Sequence, residues 1–96
     1  MIEVEKKVYV YYTVYSIKGT TILHREDGPA VERINGSKEW LVNGKRHRVD
    51  GPAIIHDNGN LEWWLNNCFF KTKEEWFEAL TEKQQVKAIY SDCFIK

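Results

Sequence analysis

Cysteine is nearly missing from this chain: Cys68 and Cys93 are its two, in 96 residues, with no Cys-x-x-Cys spacing. That excludes a disulfide-built scaffold and a zinc finger. Neither cysteine has a histidine or a cluster of cations beside it in sequence, so both are expected to be reduced, buried and inert. An excess of one charge is missing too, since 14 basic side chains balance 14 acidic ones. Such a chain is poorly suited to holding nucleic-acid phosphates, and equally to mimicking them. No apolar run reaches the length of a membrane span, and the opening segment, MIEVEKK, lacks a secretory pattern. A cytoplasmic location with no membrane partner is the expectation. Also lacking are a nucleophile elbow, a phosphate-binding glycine loop, a dinucleotide fingerprint and a zinc-protease motif. Ser37 follows Gly36 at a turn with no companion base, so no enzyme activity and no cofactor are expected.

Aromatic side chains are plentiful, with four Trp, five Tyr and four Phe. A single domain, 1–96, must build much of its core from them.

Proline and glycine are few, and their placement is informative. HREDGPAVERINGSKEWLVNG (24–44) aligns without a gap on HRVDGPAIIHDNGNLEWWLNN (47–67), with 11 of 21 positions identical. Both prolines and five of the six glycines fall inside these copies. The matched residues include His24/His47, Asp27/Asp50, Gly28/Gly51, Pro29/Pro52 and Trp40/Trp63. Asn-Gly at 35–36 and 58–59 predicts type I′ hairpin turns, whose two central residues need positive φ. Asn43-Gly44 predicts the next reversal. Proline suits the strand starts, where no ladder donor is lost. Period-two geometry puts Trp40 with Val42, and Trp63 with Leu65, on one face, which is the expected core face.

Val8–Ile17 is β-branched and aromatic throughout and reads as one long strand within an N-terminal segment, 1–23. Tyr9, Tyr11 and Tyr15 would face one way along it and Tyr12 the other. Downstream, Thr72 with Glu75 and Thr81 with Gln84 form two capping boxes. The first opens a helix carrying Trp76, Phe77 and Leu80. The second opens one whose stripe is Val86, Ile89, Tyr90, Cys93 and Phe94. The fold predicted is α+β: an antiparallel β-meander of 23-residue hairpin repeats (24–46 and 47–69), capped by the N-terminal strand and two short C-terminal helices (72–96).

The HRxDGPA…NG…EW pattern resembles the MORN-like repeats of bacteriophages, giant viruses and some bacteria, over about residues 22–80. The resemblance implies a hairpin array that serves as an interaction surface. It further implies a phage or viral protein in the host cytoplasm that binds and inhibits a host protein, such as a defence component. Some relatives are antitoxin-like, so an antitoxin partnered with a toxin belongs to the same class.

Two readings compete for His24-Arg25-Glu26-Asp27 and its twin at 47–50. Paired His and Asp could hold a metal or act as base and orienter. A group recurring once per repeat is better explained as structural, with Asp27 and Asp50 in Asx-turns and His or Arg bonded to neighbouring turns. His56 stands where the first copy has Arg33, which weakens a metal cluster further. Lys45-Arg46-His47-Arg48 is a local basic run that Lys71 and Lys73 could join, and its competing reading is a solvated turn. Trp64, in the place of Leu41, either packs beneath the helices or stays exposed as a binding anchor. Candidate contact residues are thus Trp64, Tyr12, Arg25, Arg48, Lys45 and Arg46. The expected partner is another protein. The alternative is a small-molecule or nucleotide-sequestering protein holding an anion between aromatic rings and the repeat arginines. Two repeats leave sheet edges open, so a homodimer is also expected.

Overall fold

A computed structural model describes residues 2–91. Cys93 and Phe94 of the predicted helical stripe lie outside them. The strands are β1 (Val4–Val8), β2 (Tyr12–Ile17), β3 (Val31–Arg33), β4 (Lys38–Glu39), β5 (Leu41–Val42), β6 (Lys45–Arg46), β7 (Ile54–Ile55), β8 (Leu61–Leu65) and β9 (Cys68–Phe70). Two helices follow, α1 (Lys73–Glu78) and α2 (Glu82–Ile89). Seven strands form one antiparallel sheet in the order β1-β2-β3-β4-β7-β8-β9, while β5 and β6 pair separately. The fold is therefore mostly antiparallel β, meander-like, with two C-terminal helices.

The predicted long strand over Val8–Ile17 is a hairpin instead. The chain reverses at Val10-Tyr11, Tyr9 N–H donates to Tyr12 O at 2.8 Å, and β1 zips onto β2 from Val4↔Ile17 to Val8↔Thr13. Pairing gives the chain a ladder partner that a lone strand lacks. Tyr9 and Tyr12, expected on opposite faces, stack with ring centroids 4.8 Å apart.

The turns also differ from expectation. Asn35 and Asn58 do not have positive φ; Gly36 and Gly59 do, at 93° and 88°. Gly36 N–H donates to Arg33 O and Arg33 N–H to Ser37 O, so the loop is a three-residue type I turn with glycine in the left-handed position. Asn35 Oδ1 accepts from Ser37 N–H and Asn58 Oδ1 from Asn60 N–H, which explains asparagine there. The type I′ geometry belongs to Asn43-Gly44, with φ of 51° and 77°, and to Asn66-Asn67, with 48° and 68°.

Two apolar clusters hold the sheet. Ala30, Val31 and Leu41 pack with Val14 and Leu23. Trp63, Trp76, Leu80 and Ala88 form the other, with Val49, Leu65, Phe70 and Phe77 against it. The expected core face holds in the second copy, where Trp63 meets Trp76 at 4.7 Å between ring centroids. In the first copy it fails: Leu41 is buried, while Trp40 and Val42 are half-buried, because among the described residues no helix packs over them.

Thr72 Oγ1 caps α1 by accepting from Glu75 N–H, and Thr81 with Gln84 completes the capping box of α2. The described part of the apolar stripe of α2 points outward, contrary to expectation. Ala88 is its buried contact, Gln85 reaches Phe77 O at 3.0 Å, and Val86, Ile89 and Tyr90 are exposed. A small side chain lets the helix approach closely, and that orientation turns the larger ones away. Cys68 is likewise exposed rather than buried, since β9 is the last strand of the sheet.

Candidate functional site

The HRxDGPA segment builds one corner, twice. Nδ1 of His24 accepts from Asn43 N–H at 2.9 Å, and Nδ1 of His47 from Asn66 N–H at 3.1 Å. Gly44 N–H donates to Leu23 O, and at the equivalent place in the second copy Asn67 N–H donates to Arg46 O. Each type I′ turn is thereby tied to the residue just before its corner histidine, Leu23 or Arg46. Arg25 Nε donates to Asp27 and its terminal nitrogen to Pro29 O; Arg48 does the same with Asp50 and Pro52 O. The aspartates thus clamp arginines. Each guanidinium lies 3.9 Å over a ring from earlier in the chain, Arg25 on Tyr15 and Arg48 on Trp40. A Cβ on Gly28 would sit 2.8 Å from the Arg25 guanidinium carbon, and one on Gly51 2.7 Å from that of Arg48. Glycine is required here for space, since neither has positive φ. Ala30 and Ala53 close the corners, fully buried.

These contacts account for His24, Asp27, Gly28, Pro29, His47, Asp50, Gly51 and Pro52 structurally. Each imidazole spends one nitrogen on a backbone N–H, so that nitrogen has no proton and no free lone pair. Burial lowers the pKa of His47, favouring the neutral ring that this bond requires. Among the described residues no group of three or more His, Cys, Asp or Glu side chains converges to hold a metal.

The basic run divides. Lys45 is exposed; Arg46 lies 5.1 Å over Trp64 and reaches toward Glu39; His47 is turned to its asparagine; Arg48 is clamped. Lys73 sits on the helix side, 5.9 Å over Trp63. A single cationic patch does not form. Trp64 is not beneath the helices. It alternates with helix-covered Trp63 and packs half-buried on Phe69, ring centroids 5.3 Å apart, with its indole N–H on Glu62. His56 Nε2, 2.5 Å from the same carboxylate, holds Glu62 below its ordinary range against the opposing effect of burial, with help from Trp64.

The most open apolar surface lies elsewhere. Val8, Tyr9, Val10, Tyr11 and Tyr12 surround the β1–β2 turn, and Ile34 of the β3–β4 turn joins them through its N–H, which donates to Tyr11 O at 2.9 Å. Val10 is 82% exposed, Ile34 76% and Tyr11 70%. Of the candidate contact residues named from sequence, Tyr12 alone belongs to this patch. The single-strand reading divides Tyr9 and Tyr11 from Tyr12 between two faces, and the hairpin brings all three to one end.

No helix among the described residues is long and apolar enough to cross a membrane. No family model, no curated protein and no solved structure matches the chain.

Proposed function

We propose that this chain is a non-enzymatic protein-binding module. The observation that carries the reading is the apolar cap formed by Val8, Tyr9, Val10, Tyr11, Tyr12 and Ile34. Contiguous exposed apolar side chains on a small domain mark a contact surface, and tyrosines are frequent among residues that dominate binding. The stacked Tyr9–Tyr12 pair and the Ile34–Tyr11 backbone bond favour binding further, because a pre-ordered surface loses little entropy on association.

The partner class follows from the resemblance to HRxDGPA repeats: a host protein inhibited by a phage or viral protein in the host cytoplasm, or a toxin. The repeat array closed by an N-terminal hairpin and C-terminal helices is part of the same proposal. Sequestration of a small anion is less well supported. The repeat arginines that would hold it already face Asp27 and Asp50 and cover their own rings.

The test is affinity capture with the wild-type chain and with Val10→Ser/Tyr11→Ser, two changes at exposed turn positions. Capture of a stoichiometric protein by the wild type, reduced at least tenfold in the variant, is the expected outcome. Equal capture by both, or native mass spectrometry showing a retained small molecule and no protein partner, overturns the proposal.

A further inference from the structure

β1 is the end strand of the seven-stranded sheet, and the phase of its hydrogen bonds determines what its open side offers. Lys18 N–H donates to Glu3 O and Tyr9 N–H to Tyr12 O. With the β1–β2 register, those bonds turn the peptide groups of Glu3, Glu5, Lys7 and Tyr9 toward β2. The N–H and C=O groups of Val4, Lys6 and Val8 therefore face outward. An edge of this kind is a template for another strand. We infer that β1 pairs antiparallel with β1 of a second copy, about a two-fold axis through Lys6.

Register follows from the residues. Centred on Lys6, the pairing places Val4 opposite Val8 of the partner and Val8 opposite Val4, and it uses every outward group of the strand, about six hydrogen bonds. The exposed valines then cover one another on one face. On the other face Glu5, whose carboxylate also accepts from Gly19 N–H, stands opposite the partner's Lys7, twice by symmetry, which is the favourable arrangement for cross-strand charges. A shift by two residues leaves outward groups unpaired, sets a valine opposite Lys6, and brings Glu5 onto Glu5 or Lys7 onto Lys7. The like pair in the chosen register is Lys6 with itself. Lys6 borders a hollow of about 410 Å³ that Arg25, Glu26 and Asp27 also line; Asp27 is held by Arg25, which leaves exposed Glu26 as the carboxylate of its own chain toward which each lysine can turn. Isologous pairing closes the assembly at two copies and removes the open edge.

Sedimentation equilibrium of the full chain over a wide concentration range tests this. The wild type should give twice the 11.4 kDa chain mass. Lys6→Pro removes an N–H that β2 does not use, so it should give a monomer with an unchanged circular dichroism spectrum. Lys7→Glu sets Glu5 against a glutamate and should weaken association roughly tenfold, while Glu5→Lys/Lys7→Glu should restore it. A wild type that stays monomeric at several hundred micromolar overturns the inference. So does a dimer that survives Lys6→Pro, or one that the double exchange fails to restore.

Discussion

Trp40 and Trp63 hold equivalent places in the two copies and end in different surroundings. The backbone of each is bonded to a later segment, Trp40 to Ala53 and Trp63 within the β8–β9 ladder. Trp63 is covered by Trp76, whose indole N–H donates to Arg48 O at 3.0 Å, and by Leu80 and Ala88 behind it. Trp40 has Arg48 over its ring, and among the described residues no helix joins it. The corner residues are common to both copies, and what differs is the partner laid over the ring. Val49 reaches the helix-side cluster, whereas its counterpart Glu26 is exposed. The second ring is therefore finished by a helix, and the first by an arginine that belongs to the next repeat. The helices thus supply the second ring with the apolar cover that the first ring lacks.

The largest expected effect tests that contrast directly. Trp63→Ala should cost about 3–5 kcal/mol in urea unfolding, since it empties a packed site beneath the helices. Trp40→Ala should cost no more than about 1–2 kcal/mol, the loss of a half-exposed ring and one cation–π contact. Equal losses in the two variants would show that the helices contribute nothing particular to the second copy.

The corner itself should respond alike in both copies. Gly28→Ala and Gly51→Ala each push a methyl group into a guanidinium held on three sides, at an expected cost of about 1–3 kcal/mol. The guanidinium is the far end of a side chain, so the penalty depends on its clamp. In Gly51→Ala/Arg48→Ala the loss should fall short of the sum of the single losses by about 0.5–3 kcal/mol, as expected for residues in contact. Strict additivity would mean that glycine is there for some reason other than room for the arginine.

Much of this was legible in the amino-acid sequence because the repeat concentrates it. The antiparallel sheet, the two helix N-caps and the covered Trp63 follow from the alignment, the Asn-Gly pairs and the capping boxes. The β1–β2 hairpin did not, since its turn at Val10-Tyr11 has no glycine, proline, asparagine or aspartate. Nothing local distinguishes it from continuous strand; the ladder it gains decides. The apolar cap went unread with it, because the strand reading divides its tyrosines between two faces and only the turn brings them to one end beside Ile34. The outward stripe of α2 was misread for a different reason. Periodicity identifies a face, but Ala88 allows closer approach than Val86 or Ile89, and close packing won. The aspartates were read locally as Asx-turns, whereas their partner is an arginine just upstream whose folded position depends on the ring below it.

The smallest effect concerns the two histidines, which make the same bond in unequal surroundings. His24 is 1% exposed, while His47 is half-buried and its pKa lies below the usual 6.5 because burial disfavours the charged ring. The sign follows from which state takes up the proton first. Above pH 6.5 both folded and unfolded chains hold a neutral His47, and the stabilisation is fully present. Below it the unfolded chain protonates first, so stability falls until the pH passes the lower folded value, where the loss levels off. Glu62 acts in a separate window: its carboxyl lies below the usual 4.5, so its contribution is present above that and lost in more acidic solution. Unfolding free energies of the wild type and His47→Gln, measured from pH 7.5 to 5, isolate the first step. The variant should be less stable at pH 7.5, and the gap should narrow as the wild type loses its advantage. A gap that stays constant across this range would mean that the Asn66 contact does not depend on a neutral ring.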